Sequence, residues 1–268
     1  MKVEFYKPKN NILKNFIEGY YFIADNQSSD SIRYLTFPNN FCILSVICNS
    51  DLILGENQII VTPSVQNEIV AGLVFRYNYP IEVICEKPIN EITIYFKPLG
   101  LNYFVNDSRV FSERKNVSDY NPFSDFKNCM NKILNHTNRE EQIELLESFW
   151  LSKFQPKDFS LMKQILSDIE RDLKIEEIAK KHNLSRQYIN KLFIKNIGKT
   201  PSEYRKIYRF RNAVISKKKS KNLTDLSHGN LFFDQSHFIK DFKELTAIKP
   251  SLFFKNVDTN KENVWLFI

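Results

Sequence analysis

Apolar residues recur three and four positions apart twice in the last third of the chain, whereas in the first third they alternate with polar residues or run in short blocks. Ile175, Ile178 and Ala179 share one helical face, Leu184 falls in a break, and Ile189, Leu192 and Phe193 resume the stripe. The spacing predicts two short helices forced together, with small Ala179 at their crossing. Ser185 can cap the second helix through its hydroxyl, and Gly198 lies where that helix should stop. A second copy has Leu223, Leu226 and Ser227, then Phe232 in the break, then Phe238, Phe242 and Leu245. Asn222 and Asp234 are its caps, Pro250 follows its end, and its break is one residue longer. Between the copies, Pro201 to about Ser216 reads as a single helix, with proline in the first turn and Tyr204, Ile207, Tyr208, Phe210 and Val214 on its packing side.

The first hundred residues show a different period. Arg33 to Phe37, Phe41 to Cys48, Gln58 to Thr62, Leu73 to Tyr77, Ile81 to Cys85 and Glu91 to Phe96 are short, rich in β-branched and aromatic residues, and separated by Pro, Asn, Asp or Gly. They predict an antiparallel β barrel or sandwich. Helical patterns follow at Leu99 to Val105, Pro122 to Asn135 and Arg139 to Phe154, and Gln155-Pro156-Lys157-Asp158 makes a hinge. The expected fold is therefore α+β. A β-rich domain over 1–155 carries the helical segment 122–154, an all-α domain spans 156–256, and 257–268 is a tail ending in Val264-Trp265-Leu266-Phe267-Ile268.

Charge sharpens this picture. The chain of 268 residues carries a net +7, but from Ser160 onward there are 22 Lys or Arg against 12 Asp or Glu, a net of +10, and the first 159 residues have 16 against 19, a net of −3. Between Lys180 and Lys221 the one acidic residue is Glu203. Cations concentrated around two helical hairpins attract phosphate and release counterions, which points to duplex DNA. A membrane surface would also attract them, but an interfacial helix needs an apolar face to spare, and these faces are committed to packing. An ordinary helical bundle with a solvated basic face is the competing reading. The run Lys217, Lys218, Lys219 and Lys221 on its own suggests no more than phosphate attraction. For Arg205, Lys206 and Arg209 the residues leave two roles open, phosphate contact or pairing with acids; Arg209 leans towards the second.

The stretch from about Leu161 to Phe254 resembles the DNA-binding domain of AraC/XylS-type transcriptional regulators. The matching residues are Ile178-Ala179, Leu184-Ser185, Ile189, Lys191-Leu192-Phe193, Gly198, Pro201 and Tyr204, then Arg209 to Ala213, Phe233 to Phe238, Lys240, Phe242 and Pro250. The resemblance implies two helix-turn-helix units on a long connecting helix, with recognition helices entering successive major grooves. It makes Gln187, Asn190 and Lys191 base-facing, with Arg186 exposed beside them, and gives Gln235, Ser236, His237 and Lys240 the corresponding places in the second unit. Gln and Asn can pair with adenine, and Lys or Arg with guanine. The sequence departs from the family at Ser227, at Leu231 and at Ala247, the last two standing where glycine is usual. By a second, architectural likeness the β-rich half resembles the family's cupin-like sensory and dimerisation domains. Double-stranded DNA is then the expected partner, and a small-molecule effector, RNA polymerase and a second copy of the chain are candidates. Phe22, Tyr34, Phe37, Phe75, Tyr77 and Tyr95 would line an effector pocket or simply fill a core, and Arg33 and Arg76 would meet an anionic effector or form salt bridges.

Enzymatic readings find little support. The four histidines are His136, His182, His228 and His237, so the β-rich half lacks the imidazole cluster of a metal-binding cupin. Cys42, Cys48, Cys85 and Cys129 form no C-x-x-C pair and read as reduced thiols of a cytoplasmic protein. No phosphate loop, dinucleotide fingerprint or nucleophile elbow occurs, and no cofactor or metal is expected. Lys2, Glu4, Lys7, Lys9, Lys14 and Glu18 interrupt the first twenty residues, so neither a targeting segment nor a membrane anchor is expected. The alternative to a DNA reader is an adaptor that keeps the helical pair for protein contacts.

Overall fold

Strands and helices segregate along the chain in the computed structural model, which describes residues 2–24, 31–66, 68–87, 89–106, 109–113, 115–217 and 235–256. The strands are β1 (Lys2–Tyr6), β2 (Ile17–Ala24), β3 (Ile32–Thr36), β4 (Cys42–Cys48), β5 (Ser50–Leu54), β6 (Gln58–Pro63), β7 (Ile69–Val74), β8 (Ile81–Cys85) and β9 (Asn90–Phe96). One sheet has the order β1-β2-β9-β4-β7 and the other β3-β8-β6-β5. The class is α+β, with antiparallel sheets first and a helical part after them. β1, β2 and β5 were not expected from the sequence, and β7 lies four residues earlier than the Leu73 to Tyr77 pattern suggests.

Contacts divide the chain into two units. The first comprises 1–33, 41–75 and 83–158; the second comprises 159–268 together with two stretches of the N-terminal half, Tyr34–Asn40 and Arg76–Glu82.

In the first unit, strand alternation sorts the side chains of the five-stranded sheet. Tyr20, Phe22, Leu44, Val46, Ile92, Ile94 and Phe96 share one face, since Tyr20 pairs with Ile94, Leu44 with Ile94 and Val46 with Ile92. Helices cover that face: α1 (Arg109–Ser112), α2 (Phe126–Leu134) and α3 (Arg139–Lys153) follow the strands, and Trp150 meets Phe96 edge-on at 4.9 Å. Tyr21, Ser45, Gly72, Glu91, Thr93 and Tyr95 lie on the opposite face. There a side chain on Gly72 would strike Leu52 of β5, because an added Cβ would lie 2.5 Å from its Cδ2. Buried Glu91 accepts hydrogen bonds from Tyr21 and Thr93, and Ser45 and Thr93 are 2.8 Å apart. Burial raises the Glu91 carboxyl above the usual range against these bonds.

The six aromatics, read from the sequence as pocket lining or core filling, divide between sheet faces and units. Tyr95 lies on the inner face, but Phe22 faces the other way beneath the Arg139 guanidinium, 4.0 Å from its ring, and Phe37 and Tyr77 belong to the second unit. The period of two puts neighbours on opposite sides, which composition alone does not reveal. The hinge stretch is anchored: Gln155 donates to the Tyr103 carbonyl (2.8 Å), and Lys157 donates to those of Asn102 and Val105 (2.8 and 2.7 Å).

The second unit contains α4 (Ser160–Glu170), α5 (Ile175–Lys181), α6 (Arg186–Ile197), α7 (Pro201–Ser216), α8 (Gln235–Thr246) and α9 (Pro250–Asn256). Residues 218–234 and 257–268 lie outside the described residues. With them lie the expectations for Lys218, Lys219, Lys221, Asn222, Leu223, Leu226, Ser227, Leu231, Phe232 and Asp234, and for the apolar tail. Ala247 is described, and its backbone adopts φ 62 while its N–H donates to the Lys243 carbonyl (2.8 Å). That left-handed conformation suits glycine, so the departure from the family pattern carries local strain. Ala247 is exposed, and Ala247→Gly should therefore stabilise the protein by about 0.5–1 kcal/mol, raising Tm by ~1–3 °C in thermal denaturation. A lowered Tm would show that this site has no strain to release.

Candidate nucleic-acid interface

The first helix-turn-helix is defined by local chemistry. The Lys174 N–H donates to Glu177 at the start of α5 (2.7 Å), and Ile178 and Ala179 bury its inner side. Asn183 makes the turn with φ 53, a conformation asparagine tolerates. Ser185 then caps α6 by accepting from the Tyr188 N–H (3.1 Å), and Gly198 ends it at φ 75. Ile189 and Phe193 are fully buried, with Phe193 edge-on to Tyr204 of α7 at 5.9 Å. Asp168 of α4 fixes the end of α5. It is buried and accepts from Lys181 (2.6 Å), and the His182 ring nitrogen lies 2.8 Å from its other oxygen. Burial alone would raise its pKa, but the Lys181 and His182 bonds outweigh that and lower it.

Thr200 and Glu203 close a capping box ahead of α7, whose first residue is Pro201. Its 16 residues make a rod roughly 24 Å long at 1.5 Å each. Tyr204, Ile207, Phe210 and Val214 bury the expected packing side, and Tyr208 is half-buried. The α7 cations face acids or carbonyls: Arg209 and Arg205 (3.6 Å) pair with Asp172, Arg205 also donates to the Leu173 carbonyl, and Lys206 pairs with Glu244 (2.6 Å). Of the two roles left open by the sequence, pairing is the one these side chains adopt.

The exposed flank of α6 is different. Arg186, Gln187 and Lys191 are exposed and Asn190 is half-exposed. Among the described residues, Gln187, Asn190 and Lys191 have no side-chain hydrogen bond or ion pair, whereas Arg186 pairs with Glu176 of α5 (2.9 Å). Tyr188, which the sequence reading passed over, is 46% exposed on the same helix. In α8, Gln235, Ser236 and Lys240 are exposed, and His237 lies 3.2 Å from Asp241, one turn along. Phe238, Phe242 and Leu245 are buried on its opposite side. Each helix thus divides into a packed stripe and a polar flank. No group of three or more His, Cys, Asp or Glu able to hold a metal ion occurs among the described residues, and no helix there is long and apolar enough to cross a membrane.

Comparison with known proteins bears on this part of the chain. Residues 178–256 match the family model described as a helix-turn-helix domain. The chain is 31% identical over 124 residues to the Msm operon regulatory protein of Streptococcus mutans, a match spanning 43% of this chain and 45% of that protein. Residues 178–256 thus form a helix-turn-helix domain. Solved structures similar to the chain include ToxT from Vibrio cholerae with a bound unsaturated fatty acid, at 15% identity and TM-score 0.46, covering 87% of this chain and 94% of that one. Another structure of ToxT gives 14% identity and TM-score 0.43 over 95% and 97%. α5 and α6 form a helix-turn-helix, and α8 stands where the sequence leads one to expect the second helix of the second copy.

Proposed function

We propose that the protein is a sequence-specific DNA-binding transcriptional regulator that reads two successive major grooves with α6 and α8. The observation that carries this reading is the partition of positive and polar groups. Cations on the connecting helix are engaged inside the unit, whereas Gln187, Asn190 and Lys191 on α6 project from a capped, packed helix with nothing bound to them among the described residues. A helix of that form fits the major groove, and its amides and ammonium match the edges of adenine and guanine. Arg186, Gln235, Ser236, His237 and Lys240 complete the proposed DNA-contacting set, with Arg186 and His237 first leaving their acidic partners. The residues supporting the α8 assignment are Phe238, Phe242 and Leu245, whose burial turns Gln235, Ser236 and Lys240 outward.

In this reading the N-terminal half is the controlling part, through an effector, a second copy of the chain or both, and RNA polymerase is the recipient of the signal. Selection of bound sequences from random duplexes tests the central claim. Two short blocks about one helical turn apart are expected, with affinity falling steeply as salt rises. Retention of random duplexes with no enriched motif would favour the adaptor reading instead.

A further inference from the structure

The helical unit does not complete its own core. Phe37, from the stretch after β3, is buried within a cluster that includes Ile207 and Phe210 of α7, Phe238 and Phe242 of α8, and Phe253 of α9. Its ring meets Phe253 edge-on at 5.2 Å, and Phe242 meets Phe210 and Phe253 at 5.1 and 5.0 Å. The backbone around Phe37 is held as well. Arg211 of α7 donates to the carbonyls of Phe37 and Pro38 (2.7 Å for the latter), and the Tyr77 hydroxyl donates to the Phe37 carbonyl (2.7 Å) while accepting from Asn39 (3.0 Å). At the other end of α7, Arg76 pairs with Glu203 (2.6 Å), Asn78 donates to the same carboxylate (3.2 Å), and Asn40 donates to the Tyr204 carbonyl (2.9 Å). Two stretches of the N-terminal half therefore grip the connecting helix at both ends.

The asymmetry of this arrangement is informative. The cluster holding Phe37 includes α8 side chains and none from α6, whose buried Phe193 packs on Tyr204. Removing the Phe37 ring leaves a void under α8 while sparing the support of α6. Close packing admits few alternative poses, so such a void loosens the helix above it. We propose that Phe37 and Tyr77 are positioning residues for DNA reading: they hold α8, through the shared core and α7, in the pose from which it reads its half of the site. What α8 reads rests on the function proposed above; the mechanical claim stands apart from it.

The test uses the full chain with Phe37→Ala, Phe37→Leu and, as a contrast, Arg76→Gln. Amide hydrogen exchange is followed over 235–246 and 186–197, and affinity is measured for a selected duplex and for duplexes with either block scrambled. Phe37→Ala should speed exchange in α8 by about tenfold or more with α6 little changed, since local opening follows local packing. It should also shrink the penalty for scrambling the α8 block by about fivefold while leaving the α6-block penalty intact, because a loosened helix discriminates less. Phe37→Leu should restore most of both, whereas Arg76→Gln, at the Glu203 end of α7 beside the Tyr204 on which Phe193 of α6 packs, should leave α8 exchange and the α8-block penalty close to wild type. Unchanged α8 exchange in Phe37→Ala, or equal losses in both helices and both blocks, would overturn the proposal. A wild-type chain indifferent to both blocks would refute the function reading, and the exchange comparison would still decide whether Phe37 holds α8.

Discussion

Lys191→Ala is expected to weaken binding to the selected site by about 10- to 100-fold, the range for losing one good base contact, while binding to random duplex falls by no more than about twofold to threefold. Gln187→Ala should behave similarly, because both side chains are exposed on α6 and uncommitted among the described residues. Their helix is fixed by Ser185, Gly198 and the buried Ile189 and Phe193, so truncating an exposed side chain should not disturb its seat. Lys218→Ala provides the contrast and is expected to weaken all sequences alike, as the loss of a phosphate contact does. Competition binding on the two duplexes measures the ratio directly. If Lys191→Ala lowers specific and random binding by the same factor, the ammonium contacts phosphate and base reading must be assigned elsewhere.

Glu203 should make stability depend on acidity. Burial pushes its carboxyl up, but the Thr200 N–H, Asn78 and Arg76 together outweigh burial and bring its pKa down to about 2. A depressed carboxylate stabilises the folded chain above its unfolded pKa, near 4.3, and the stabilisation is lost as pH falls toward the folded value. From pH 7 to about 5 the contribution should be constant, about 2–3 kcal/mol, and it should then fade toward pH 2. Denaturant unfolding of the wild type and Glu203→Gln checks this. The gap between them should be widest at neutral pH and narrow steadily below pH 5; a gap that persists undiminished at pH 3 would show that the loss is steric.

The parts legible in the sequence were those set by neighbours along the chain. Ser185, Gly198, Thr200 and Pro201 mark helix ends through contacts within a few residues, so the bounds of α6 and α7 could be read from residue types. Strands were harder. Ile69–Val74 is buried throughout and contains Gly72, so it lacks alternation and resembles a breaker, whereas the pattern from Leu73 to Tyr77 is strand only as far as Val74. β2 escaped because its run of buried aromatics has no polar partner face. In the candidate site, the outward residues of α6 follow from its period, but the engagement of the connecting-helix cations does not: Arg209 finds Asp172, 37 positions away, and Arg76 finds Glu203, 127 away. Such pairings depend on topology, and no local pattern encodes them. Glu203 could have been suspected, as a lone acid among cations, of serving more than a cap.

The passage of Phe37 into the aromatic core of the helical unit also bears on modular exchange. Grafting residues 159–268 onto a foreign sensor would transplant α8 without the ring that fills its underside and Glu203 without the guanidinium beside it. A working chimera would have to bring substitutes for both, so the natural cassette for recombination is wider than the helices themselves and includes two short pieces of the N-terminal half.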